Sequence, residues 1–302
     1  MVKTIEVKNE KGICRINEAH TEIKIPGLCR EYTFVHLSDL HIAHATESDT
    51  EEAQKLAQAR NEFWEIQGAY FVYNRDGEII NRLSTIEVNE LLAERIREIS
   101  PDAVFFTGDT VDYPAVSSFK RAKKYLDSLG CDCFLATGNH DCIICEDGET
   151  VAPELTNALN EVICGDGGYS LHPFDKFDVV SFNDGLIKVT ENDVKILEER
   201  IKVRRPMILL LHAPLYFSKA FSAAYPMWGK NWTLGEPQQS AENIAFRELI
   251  LKNKELFPAI FAGHIHKSSG NDIDDTSGED SEPAQYTAAP AFTGFIRVIK
   301  VH

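Results

Sequence analysis

Five short apolar runs, at 32–37, 103–107, 133–137, 207–211 and 259–262, each stop at a cluster of polar or glycine residues. Runs this short and this continuously apolar suit strands covered on both faces, because a strand with one wet face alternates apolar and polar residues instead. The clusters that follow are Asp39-Leu40-His41, Gly108-Asp109-Thr110-Val111-Asp112, Gly138-Asn139-His140-Asp141, His212-Ala213-Pro214 and Gly263-His264-Ile265-His266. In open α/β sheets ligands gather beyond the carboxyl ends of the strands, so segments far apart in sequence meet there.

Between the runs, helical spacing of apolar residues marks 51–67, 85–99, 117–129, 153–162, 191–202 and 241–253. Thr190 followed by Asp193 reads as a capping box, and Pro153 suits a first helical turn. Alternation at 4–7, 13–16 and 22–25, with a turn at 9–12, predicts a small antiparallel prelude within 1–31. Segments 169–183 and 285–301 read as added strands in sequence-adjacent pairs. The expected fold class is α/β, with two packed mixed β-sheets flanked by helices, in one domain spanning 1–302. Segments 43–81 and 216–240 exceed what simple connections need and are read as lid insertions, while the acidic, Ser- and Gly-rich stretch 271–282 reads as a solvated loop.

Composition narrows the partners. A chain of 302 residues that is 43% hydrophobic can bury a sizeable core. Its formal charge of -16 opposes sequence-independent binding to nucleic acid, which depends on Lys and Arg neutralising phosphates. No segment approaches the roughly 20 apolar residues of a membrane-spanning helix, and no start resembles a signal peptide, so a cytoplasmic location is expected. Seven cysteines, an odd number in a long chain, do not look like a disulfide framework. Cys142 and Cys145 have the spacing of a redox pair or half a zinc site, but structural zinc needs four ligands, which favours ordinary thiols.

Carboxylate and imidazole together suit Mn, Fe or Zn, whereas a dedicated Mg or Ca cage favours oxygen alone. In an extended segment, residues i and i+2 point to one side, which lets Asp39 and His41 address one ion and His264 and His266 one region. Taken in order, the clusters resemble the calcineurin-like metallophosphoesterase family, whose pattern runs D-x-H, G-D-x-x-D, G-N-H-[DE], H and G-H-x-H. The resemblance reaches from Asp39 to His266 with no member missing. It implies two divalent metal ions, Asp39, His41 and His266 holding one, Asn139, His212 and His264 the other, and Asp109 bridging them. It also implies that His140 sits beside the substrate, stabilising charge or protonating the leaving oxygen, and that Asp112 orients His140.

The expected function is therefore metal-dependent hydrolysis of a small phosphorylated substrate, a phosphodiester or phosphomonoester, at a dinuclear centre. Two rivals are a phosphoprotein phosphatase and a catalytically silent scaffold that keeps the fold. The first resembles G-D-x-x-D-R-G and G-N-H-E, whereas Tyr113-Pro114 follows Asp112 here and Asp141 follows His140. The second usually loses ligands, and none is lost here. Trp228 and Trp232, with Tyr216, Phe217, Phe221 and Tyr225 nearby, read as a lid that stacks on a base or packs on a lipid, or as a cap on the core.

Overall fold

The computed structural model describes residues 2–68, 70–142, 169–270 and 282–302. The helix expected at 153–162, Cys145 and most of the loop expected at 271–282 lie outside those residues.

At the N-terminus the Asn9 side chain accepts the Lys11 and Gly12 amides at 2.9 and 3.1 Å, closing a turn between β1 (Val2–Asn9) and β2 (Gly12–Ile23). The two strands pair antiparallel, as the alternation predicts. Two strands were expected over 13–25, but one twelve-residue strand forms. It is no separate prelude either, because β2 pairs in parallel with the C-terminal strand deep in the larger sheet.

That sheet has the order β5 (Ile79–Arg82), β4 (Phe71–Tyr73), β2, β13 (Phe295–Val301), β3 (Tyr32–Leu37), β6 (Ala103–Thr107), β7 (Asp132–Ala136), with β1 on β2. The smaller sheet runs β12 (Gln285–Thr287), β11 (Ala259–Ala262), β10 (Met207–Leu210), β9 (Asp178–Phe182), β8 (Tyr169–Pro173). Both are mixed, each combining parallel neighbours with antiparallel ones. Among the described residues six helices flank or cap them: α1 (Glu51–Gly68), α2 (Thr85–Ile99), α3 (Val116–Asp127), α4 (Glu191–Lys202), α5 (Ser218–Trp228) and α6 (Ala241–Lys252). The Thr190–Asp193 capping box opens α4 as predicted, with both reciprocal hydrogen bonds present.

Alternate side chains of the same strands enter different apolar layers. Phe34 and Phe105 of the larger sheet meet Ile208, Leu210 and Phe261 of the smaller one in the middle. Val35, Val104 and Phe106 turn the other way, onto Leu92 and Ile96 of α2 and Phe119 of α3. Leu209 and Ile260 face Leu197 of α4 and Phe246 of α6. Burial on both faces is why these strands read as unbroken apolar runs.

Segment 169–183 forms the expected antiparallel pair, β8 with β9. Segment 285–301 does not. β12 pairs with β11 and β13 with β2 and β3, because a 3₁₀ turn at Ala291–Thr293 carries the chain from one sheet to the other. No helix among the described residues is long and apolar enough to cross a membrane.

Arg297 of β13 holds this crossover together. It is fully buried, donating from Nη2 to the carbonyls of Ser269 and Thr287 at 3.0 Å each and from Nη1 to Thr21 Oγ1 at 3.2 Å. The Tyr286 ring lies 5.1 Å from its guanidinium carbon. Arg297→Met strips donors from buried carbonyls of the other sheet's edge and is expected to lower stability by about 3 kcal/mol in urea unfolding. Arg297→Lys should recover only part of that loss, since an ammonium cannot reproduce the planar fork. Equal stability of all three proteins would contradict this account of the crossover.

Candidate metal centre

Where the apolar runs end, the backbone departs from the extended form. Asp39, His41, Asp109, His264 and His266 have φ of 56°, 48°, 52°, 66° and 51°, five of the nine positive-φ non-glycine residues among the described residues. Each such residue costs about 1–2 kcal/mol, so their concentration here is a feature the surrounding fold maintains. The expectation that extended alternation aligns Asp39 with His41, and His264 with His266, is thereby corrected: left-handed kinks aim these side chains.

Main-chain bonds hold the kinked loops side by side. Asp39, His41 and Ile42 donate their amides to the carbonyls of Gly108, Asp109 and Thr110 at 2.9, 2.9 and 3.1 Å, and Gly263 donates to His212 at 2.9 Å. The approach is close enough to exclude side chains at two glycines. A Cβ on Gly138 would fall 2.1 Å from Asp109 Oδ1, and one on Gly108, itself at φ 89°, would fall 2.3 Å from His212 Nδ1.

All seven expected ligand residues are brought together around Asp109. On one side the ligand atoms of Asp39, His41, Asp109 and His266 lie within 4.8 Å of one another, with His41 Nε2 3.2 Å from His266 Nε2. On the other, Asp109, His212 and His264 form a second such group, and His212 Nε2 lies 3.0 Å from both Asn139 Oδ1 and His264 Nδ1. Asp109 Oδ2 sits between them, 3.8 Å from His41 Nε2 and 3.5 Å from His212 Nε2.

The donor set fits cations. His41 Nδ1 faces the Asp112 carboxylate at 2.9 Å, and His212 Nδ1 faces the Thr107 carbonyl at 2.7 Å. Both partners only accept, so each Nδ1 carries the hydrogen and each Nε2 turns a lone pair inward. Burial pulls the His41 imidazole down to about 4 despite its Asp112 bond, and burial, then His212, lowers His264 well below its usual value. Neutral imidazole is the form that ligates a metal. Burial, then the nearby charge of Asp39, pushes the Asp109 carboxyl well up. Burial also opposes the ionisation of Asp39, but His266, His212 and His41 outweigh it. Two buried carboxylates among inward-facing lone pairs call for positive charge between them.

Asp112 and His140 are arranged differently from the sequence expectation. The Asp112 carboxylate is taken by His41, by Trp64 Nε1 at 2.6 Å, and by Arg60 through Nε and through Nη2 at 3.0 Å. His140 Nδ1 donates instead to the Asp112 main-chain carbonyl at 2.6 Å, with the carboxylate oxygen 3.5 Å away. Three donors from the interior and α1 claim the carboxylate, so its main effect falls on His41. His140 is fixed at a second point by its own amide, which donates to Asp109 Oδ1 at 2.8 Å.

Sequence reasoning missed Arg60 and Trp64, whose one signal is their spacing of one helical turn inside the long segment 43–81. It also missed Asp184, which accepts the amides of His212 and Ala213 at 2.7 and 2.9 Å. Burial lifts the Asp184 carboxyl to about 6. Asp141 ties two ligand loops in the same manner, through the amides of Val111 and Gly138 at 2.8 and 2.9 Å. No cysteine joins a group of potential metal ligands among the described residues, and burial pushes the Cys142 thiol up to about 12.

Rings close over the cluster. Trp64 stacks on His41 at 4.1 Å, Trp232 stacks on His264 at 4.9 Å, and Trp228 meets His266 edge-on at 6.2 Å. These are all three tryptophans of the chain.

A family model described as calcineurin-like phosphoesterase matches residues 32–268, a span that contains every one of the seven clustered residues. No curated protein gives a significant sequence match. Among solved structures the chain is similar to a dimetal phosphatase from Danio rerio, at 12% identity over 87% of this chain and 88% of that one, with a TM-score of 0.50. It is also similar to a purple acid phosphatase from yellow lupin seeds, at 15% identity over 94% of this chain and 46% of that one, with a TM-score of 0.49. At 12% identity the Danio rerio structure speaks for the fold alone, and the family rests on the sequence match across most of the chain. This chain belongs to the calcineurin-like phosphoesterase family.

Proposed function

We propose that this phosphoesterase hydrolyses a small-molecule phosphate ester at a dinuclear centre, with Asp39, His41 and His266 holding one divalent ion and Asn139, His212 and His264 the other. The observation that carries this reading is the position of Asp109, whose Oδ2 faces His41 on one side and His212 on the other. The mixture of imidazole, carboxylate and amide oxygen suits Mn, Fe or Zn. When bound, such ions acidify a water molecule and polarise the phosphate oxygens of the ester.

The chain's own groups do the rest. Asp109 offsets the charge of the two sites. Asp112 fixes the inward nitrogen of His41, as a carboxylate behind a ligating histidine does, while the Thr107 carbonyl orients the His212 ring and Asp184 holds the His212 main-chain amide. His140, anchored through Nδ1 and its amide, has Nε2 left to meet the leaving oxygen and acts there as proton donor. Tyr113-Pro114 after Asp112 favours a small substrate over a phosphoprotein, and the complete donor set argues against a silent scaffold.

Because every tryptophan touches a ligand histidine, Mn²⁺ or Co²⁺ should quench the intrinsic fluorescence saturably, and Zn²⁺ should compete the quenching away. Asp109→Asn removes the charge shared by both ions and should weaken this titration strongly. A variant that titrates like the parent protein would remove Asp109 from the bridging position.

His140→Ala is expected to keep its metals and to lose about 10² to 10⁴-fold in rate on an alkyl ester, with a smaller loss on a nitrophenyl ester that leaves without a proton. Asp112→Asn should behave differently, weakening metal binding about 10 to 100-fold because its carboxylate backs His41. Metal content after dialysis, measured beside both rates, separates the two. Full metal retention in Asp112→Asn would return Asp112 to a role at His140.

A further inference from the structure

We propose that Trp228 is a stacking platform for a planar ring in the organic part of the substrate, so that the site selects aryl or other ring-bearing phosphate esters. This deepens the dinuclear reading and rests on it.

The rings beside the centre form a ladder. Trp232 lies over His264 at 4.9 Å and 26°, and Trp228 follows Trp232 at 5.1 Å and 34°. The ladder thus begins on one candidate ligand and passes beside another, since the Trp228 ring also meets His266 edge-on. Its inner and outer rungs differ in what they cover. Trp232 packs on buried Ala224 and Ile265 and so does the work of capping the core. Trp228 stays 39% exposed.

Trp228 is also locked in place. It is the last residue of α5, and its indole N–H donates to the Ile265 carbonyl at 3.2 Å, between the two candidate ligands His264 and His266. A ring held to the ligand loop in this way is preorganised, so little freedom remains to be lost on binding. A fixed planar face favours a planar partner, because aromatic pairs depend on ring geometry in a way that an acyl chain cannot exploit. The indole is neutral, so it adds no repulsion to a substrate phosphate in a chain of net charge -16. Exposed Phe63 of α1 packs edge-on against Trp64, which itself meets His266, and adds apolar surface there.

The test compares phenylphosphonate with cyclohexylphosphonate, which match in size and charge, cannot be hydrolysed, and differ in planarity. Calorimetry on the metal-loaded protein should show the phenyl compound bound about three- to tenfold more tightly, the gain of one aromatic pair. Trp228→Leu should bring that ratio close to one. Trp228→Phe, which keeps a ring but loses the bond to Ile265, should restore most of it. Equal binding of the two phosphonates to the parent protein overturns the platform and leaves the phosphate site standing, as does a ratio that Trp228→Leu does not change. Loss of the ratio in both variants assigns the effect to the Ile265 anchor and overturns the platform too. Binding of neither phosphonate overturns both readings.

Discussion

Two buried carboxylates, Asp39 and Asp109, sit among imidazole nitrogens whose lone pairs point inward, and much of the molecule serves to hold that unfavourable arrangement in place. Left to relax, these groups would separate or take up protons. They are prevented by main-chain bonds between the loops, by kinked backbone at five candidate ligand positions, and by glycines that let one loop press on the next. Behind them a further set of carboxylates, Asp112, Asp141 and Asp184, pins imidazoles and amides from the outer side.

Such strain persists only on a rigid support, which the strands provide. The side chains of β3, β6, β7, β10 and β11 alternate between a central layer shared by the two sheets and outer layers shared with helices, so these strands are clamped on both faces. Candidate ligands placed two to four residues past a clamped strand inherit its position. This explains why the site lies at strand ends and why its loops are short there.

The long segments do other work. Segment 43–81 brings Arg60 and Trp64 of α1 onto Asp112 and His41, and segment 216–240 brings Trp228 and Trp232 onto His266 and His264. The rim is therefore indole-rich and meets the candidate ligands directly, while the loops that follow the strands supply those candidates.

The sequence by itself determined the strands and the clusters that end them. The runs at 32–37, 103–107 and 259–262 coincide with β3, β6 and β11, because burial on both faces leaves an unbroken apolar signature and the ligand motifs follow it directly. Local capping was legible as well, as at Thr190, since its partner lies three residues away. Only the tertiary structure decided that β12 and β13 join different sheets, that kinked rather than extended backbone aims Asp39 and His41, and that Asp112 serves His41 while its carbonyl holds His140. It likewise decided that Trp64, in a helix with no motif, packs on His41. Each of these depends on which residues distant in sequence become neighbours, and no periodicity or spacing along a single segment encodes that.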